Sequence, residues 1–125
     1  MLCRGVRGAT IVENNTEESI LAASRELLQN IIEANNIDAN MVACAIFTTT
    51  SDLNAGFPAA AARQLGWSNA ALLGARESDV PGSLQMCLRI LILFNTDKQV
   101  SDIKHVYLKG TKVLRKELPP IIQIN

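Results

Sequence analysis

One stretch of helical period has to serve a chain that otherwise reads as strands. Ile20, Leu21, Leu27, Leu28, Ile31 and Ile32 recur at helical spacing between Asn15 and Asn36. Asn15 or Thr16 can cap the start, with Glu18 placed three residues after Asn15 as in a capping box. Glu17 and Glu18 suit the positive end of the helix dipole. Leu2–Val12, Met41–Phe47, Ala70–Gly74, Leu84–Phe94, His105–Lys109 and Thr111–Leu114 read as extended segments. The polar run Thr48–Asp52 ends the second of these in a loop, and Asp79–Ser83 is a turn by composition. Pro58 and Gly66 bracket a short helix, Ala59–Leu65, and Ser101–Lys104 reads as a helical turn. The expected class is α/β (α+β): a mixed sheet of about five strands with one long helix. A single long helix covers one face of such a sheet. The other must be buried by self-association, so a homo-oligomer is expected.

The 125 residues suit one domain. Residues 1–118 read as that domain and 119–125 as an apolar tail without clear period. With 48% apolar residues but only 4% aromatic ones, the core must be aliphatic. Twelve basic residues balance twelve acidic ones, and no basic stripe is visible, which argues against a nucleic-acid partner. The N-terminus does not read as a signal peptide. Leu84–Phe94 is too short to span a bilayer and carries Arg89. Cys3, Cys44 and Cys87 are far apart and odd in number, so they are expected to be reduced thiols in a cytoplasmic protein.

Arg89 is the exception within the most apolar stretch. Arginine cannot neutralise itself, so a buried one needs a partner, either a protein carboxylate or an anionic ligand. Arg7, Arg89, Tyr107 and Arg115 fall in extended segments, Arg63 on the short helix and Glu77 beside a turn. One reading is an Arg–Glu salt bridge with the other arginines solvated. The other is a cage for a small dicarboxylate that also carries a hydroxyl, since guanidinium forks bind carboxylates bidentately. The sequence has no Walker loop, dinucleotide fingerprint, G-x-S-x-G or H-E-x-x-H motif. The sole histidine, His105, is read as having a structural or surface role, and too few ligands exist for a metal site.

Taken in order, Arg4–Thr10, Asp52–Ala59, Ala62-Arg63, Gly66-Trp67, Glu77 with Asp79-Val80, Cys87–Arg89 and His105–Leu108 resemble the small monofunctional chorismate mutases of the bacterial trimeric type. The similarity runs from about residue 2 to 118. It implies a homotrimer forming a pseudo-α/β barrel, with active sites at subunit interfaces. It also implies a Claisen rearrangement of chorismate to prephenate without cofactor, metal or covalent intermediate. By the same resemblance, Arg89 meets the ether oxygen and Arg7 a substrate carboxylate. Tyr107 bonds the enolpyruvyl carboxylate and Glu77 accepts from the ring hydroxyl. Phe57, Ala59, Leu73, Gly74 and Leu114 line the pocket, with Arg63 and Arg115 as cations at its mouth and tail. The chain departs from the family at Ala60, where a lysine is common, and at Gly74, where a cysteine is. A trimeric enamine/imine deaminase-like enzyme and a non-catalytic carboxylate-binding module are the alternatives. Catalysis implies that Arg89 is under-satisfied in the empty protein, whereas a saturated Arg89–Glu77 bridge would favour the structural pair.

Overall fold

A computed structural model describes residues 1–114 and, as backbone, residues 121–124. The chain runs β1 (Leu2–Ile11), α1 (Glu17–Asn35), β2 (Val42–Thr49), α2 (Ala60–Gln64), β3 (Ala71–Arg76), β4 (Cys87–Thr96), β5 (His105–Leu108) and β6 (Ile121–Ile124). The strands form one mixed sheet in the order β3-β2-β4-β1-β5-β6. β4 is antiparallel to both β1 and β2, while β2/β3, β1/β5 and β5/β6 are parallel. A mixed sheet with one long helix is thus the architecture, with six described strands rather than about five. The sixth comes from the expected tail, where residues 121–124 run beside β5.

α1 forms where the period and caps place it. Thr16 is the N-cap, its Oγ1 accepting from the Ser19 N–H at 3.1 Å, and Asn36 closes the helix in the left-handed conformation. Asn15, the other candidate cap, does different work. Its Oδ1 accepts from the backbone N–H groups of Asn54 and Ala55, tying the loop ahead of Phe57 to the start of α1. Ile20, Ala23, Leu27, Leu28 and Ile31 are buried on one side of the helix. They meet Val6, Val12, Ala45, Phe47, Leu88, Ile90, Ile92, Phe94, Val106 and Leu108 from the sheet. Each such aliphatic side chain, fully buried, stabilises by about 1.5–3 kcal/mol.

The opposite face is open. Residues directly opposite in register share a face. The pairings Ile46↔Leu73, Ile46↔Leu91, Arg7↔Leu91 and Gly5↔Leu93 therefore put Gly5, Arg7, Ile46, Leu73, Leu91 and Leu93 together, away from α1. Leu73 is 60% exposed there and Ile46, Leu91 and Leu93 are half-buried.

Three strand ends near the site and one whole segment differ from the sequence expectation. β2 continues through Thr48 and Thr49 because β3 and β4 pair with both. β3 likewise extends to Arg76, paired with Thr49. β4 begins only at Cys87, because Met86 takes a positive φ of 52°. The Asp52 carboxylate accepts from the Met86 N–H at 2.9 Å and holds that turn. Thr111–Leu114 is a 3-10 turn, not a strand. Lys109 and Gly110, both at positive φ, lead the chain out of the sheet, and the Thr111 hydroxyl bonds the carbonyls of Leu108 and Ala9.

Gly8 sets how closely α1 approaches. A Cβ there would lie 2.6 Å from Ile31 Cδ1 and 3.0 Å from both Leu27 Cδ1 and the Val106 carbonyl oxygen. The backbone oxygen cannot yield as a side chain can. Gly8→Ala is expected to destabilise the protein by about 1–3 kcal/mol through overpacking, read as a lower urea midpoint. Gly5→Ala, on the open face with its nearest contact at 3.3 Å to a side-chain methyl, is expected to cost less.

Candidate active site

Thr48, Arg89, Ala9 and Tyr107 lie in one row across β2, β4, β1 and β5. That row is on the open face, and Arg7 joins it one pair further along β1, opposite Leu91. Glu77 comes two residues after Ala75, the partner of Thr48, and its N–H donates to the Thr49 carbonyl at 2.9 Å. The parallel pairing of β2 and β3 thus extends one step and keeps Glu77 on the same face. Five strands of differing sequence position in this way place five polar groups, Thr48, Arg89, Tyr107, Arg7 and Glu77, on a surface whose other residues are mostly apolar.

Arg7, Ile46, Thr48, Glu77, Arg89 and Leu91 line a hollow of about 180 Å³. A second hollow, about 290 Å³, shares Glu77 and Arg89 and adds Thr50, Val80, Leu84, Cys87 and Leu114. The ion pair is therefore the wall common to both. Each hollow is smaller than a usual small-molecule site of roughly 300–1,000 Å³. A larger one, about 460 Å³ near Met1, Phe94 and Lys98, contains none of the expected site residues.

Arg89 and Glu77 touch through a single contact, Nη1 to Oε1 at 3.4 Å, with side chains 32% and 21% exposed. The other Glu77 oxygen, Oε2, accepts from the Thr48 hydroxyl. A contact this long between partly exposed groups is worth roughly 0–1 kcal/mol. Among the described residues it is the one hydrogen bond on the Arg89 guanidinium, which has five donors. A direct Arg89–Glu77 bridge therefore exists, and among the described residues it is not a saturated one.

Tyr107 is buried, and its hydroxyl has no hydrogen-bond partner among the described residues. Thr10 Oγ1, on the helix side, shares that state. A buried hydroxyl left unpaired costs about 1–3 kcal/mol, a cost that a ligand acceptor would remove. Arg7 is fixed through its backbone, since its N–H donates to His105 Nδ1 at 3.0 Å where β5 begins. The imidazole thus ends the β1/β5 ladder, a structural role as expected for the sole histidine.

The remaining expected residues are dispersed. Leu114 lines the second hollow and Leu73 is exposed on β3. Gly74, opposite Phe47, turns to the helix side of the edge strand. Ala59 is in the core, while Phe57 is 82% exposed and Arg63 is exposed on α2; none of the three lines either hollow. Arg115 lies outside the described residues. Thr48, which lines the first hollow and bonds Glu77, is the candidate that sequence reasoning missed. The signal was alternation: Cys44, Ile46 and Thr48 share a face once β2 is carried two residues further. Among the described residues, no group of three or more His, Cys, Asp or Glu side chains could hold a metal ion, and no helix is long and apolar enough to cross a membrane.

Residues 3–118 match the family described as chorismate mutase type I. The chain is 48% identical to the chorismate mutase AroH of Thermus thermophilus over 118 residues, which cover 94% of this chain and 97% of that protein. It is 43% identical to the AroH of Bacillus subtilis over 119 residues, covering 94% of each. A solved structure of a chorismate mutase from Clostridium thermocellum superposes with a TM-score of 0.86 at 48% identity, covering 88% of this chain and 98% of that one.

Cys87, the thiol nearest Arg89 in sequence, is not poised as a nucleophile. Burial pushes it up to about 11, against the pull of the Arg89 charge. At pH 8 only about one thiol in a thousand would be ionised at that value. A disulfide reagent at pH 8 is expected to modify exposed Cys3 rapidly and Cys87 only after unfolding, followed by mass spectrometry of peptides. An unfolded thiol ionises near 8.5, so the contribution of Cys87 is complete below about 8.5 and is lost as pH rises towards 11.

Proposed function

The chain belongs to the chorismate mutase type I family, and we propose that it rearranges chorismate to prephenate at the hollows around Arg89 and Glu77, in phenylalanine and tyrosine synthesis. One observation carries the assignment of the site: Arg7, Arg89 and Glu77 line one hollow on the same face of the sheet, and among the described residues the Arg89 guanidinium makes one hydrogen bond.

The chemistry asks for little more. In an intramolecular Claisen rearrangement the ether C–O bond breaks while a C–C bond forms at the far end of the same six-atom array. No proton moves and no protein atom bonds to the substrate. The ether oxygen gains negative charge on the way to the transition state. A preorganised cation at that oxygen stabilises the transition state more than the ground state, which is what lowers the barrier. Arg89 takes this part. Arg7 holds a carboxylate and favours the folded conformer in which the two ends meet. The buried Tyr107 hydroxyl donates to the enolpyruvyl carboxylate, and Glu77 accepts from the ring hydroxyl. Leu114 supplies apolar contact from the second hollow, Leu73 and Gly74 belong to the neighbouring edge strand, and Arg115 is the tail cation.

The chain acts as a homotrimer that closes a pseudo-α/β barrel, with the open sheet faces turned inwards. What supports this is the apolar open face, the small size of each hollow, and Phe57 standing 82% exposed away from both. Phe57, Ala59 and Arg63 then belong to the wall that a neighbouring copy brings. The protein works in the cytoplasm with its cysteines as thiols.

The direct test is to follow the loss of chorismate diene absorbance with purified protein and to identify prephenate as product. Arg89→Ala is expected to lower kcat by at least about 10²–10³, the usual loss for one preorganised donor. Arg89→Lys is expected to be badly impaired, since lysine lacks the fork. Near-normal turnover by Arg89→Ala would overturn the assignment. Sedimentation is expected to give a species three times the 13.6 kDa chain mass; a monomer that is fully active would remove the shared-site part of the reading.

A further inference from the structure

Nothing in the fold requires a hydroxyl at position 48. Thr48 is a half-buried residue in the middle of three paired strands, flanked by Ala75 on β3 and Arg89 on β4. Valine has the same shape and suits a strand equally well. The hydroxyl is nevertheless committed, donating to Glu77 Oε2. Thr48 therefore stands on the strand between the two charged groups and bonds one of them.

Consider Glu77 without that bond. Its carboxylate lies beside a guanidinium that has several donors unused among the described residues. A fork-to-fork pair, with two parallel N–H···O bonds of about 2.8 Å, is the strongest arrangement available to these two groups. Here only Oε1 faces Arg89, at 3.4 Å. With Oε2 held by Thr48 and the Glu77 backbone held by Thr49, the carboxylate cannot turn both oxygens to the arginine.

We infer that Thr48 is a positioning residue that keeps the Arg89–Glu77 pair open, by holding Glu77 back from bidentate closure onto the guanidinium that the substrate needs. The inference deepens the proposed function and rests on its assignment of Arg89 and Glu77 to the substrate. A closed pair would act as a competing state that the substrate must open. Apparent affinity then falls by the fraction of molecules left open, while the bound, open enzyme reacts as before. The expected signature is in KM rather than kcat.

Thr48→Val is expected to raise KM about tenfold or more with kcat kept within about threefold, and Thr48→Ser to restore KM. In a Glu77→Ala background, Thr48→Val is expected to leave KM unchanged, because no carboxylate remains to close. An unchanged KM in Thr48→Val, an equal rise in the Glu77→Ala background, or a failure of Thr48→Ser to restore would each overturn the inference. A crystal structure of unliganded Thr48→Val decides the same point without turnover. Two Arg89–Glu77 contacts near about 2.8 Å are expected, and retention of one long contact would refute it. An inactive wild-type protein would count against the proposed function, and the crystallographic comparison would still judge Thr48.

Discussion

A single 19-residue helix lies against a sheet of six described strands, and it can dry only one side of them. The closeness of that contact depends on Gly8, where the helix side chains and the Val106 carbonyl leave no space for a methyl group. Everything else about the molecule follows from this one-sided arrangement. The helix side takes nearly all the large aliphatic side chains. The open side keeps half-exposed apolar residues, the charged groups and the buried Tyr107. A polar site can exist there without opening the core, because the core is on the other side of the same strands.

The charged groups on the open side are held by the sheet itself. Glu77 is placed by a backbone bond to Thr49, Arg7 by donation of its N–H to the His105 imidazole, and Arg89 by pairing on both sides with Thr48 and Ala9. Supports of this kind fix where a side chain starts without consuming its donors and acceptors. That is the condition for electrostatic stabilisation that costs no reorganisation when charge develops. The Thr48 bond to Glu77 adds a restraint on where the side chain ends.

The parts of this structure that depend on nearby residues were legible in the sequence. α1 was found because its period and its caps lie within the helix or beside it. Arg89 was found because its own neighbours are apolar. The ends of β2 and β4 were not, because distant partners decide them. Thr48–Thr50 looks like a loop by composition, yet its first two residues pair with β3 and β4. Met86 looks like part of an apolar run, yet an Asp52 carboxylate 34 residues away turns it. Thr48 escaped as a site residue for the same reason, since its partner Glu77 is 29 positions on. Family resemblance alone supplied Phe57, which the structure leaves exposed and away from both hollows.

The row that runs Thr48, Arg89, Ala9, Tyr107 crosses the strands instead of following one of them. Length changes in the gene therefore have very unequal effects. One residue inserted inside β4 would turn Arg89 to the helix side and drive a fixed charge into the aliphatic layer, while every neighbour along the strand changed sides with it. One residue inserted between Ser78 and Gln85 leaves the pairing of Cys87 with Ile11 and of Glu77 with Thr49 where it is. Natural length variation in such a chain is thereby channelled into its connections, and the strands that carry the site are confined to substitution.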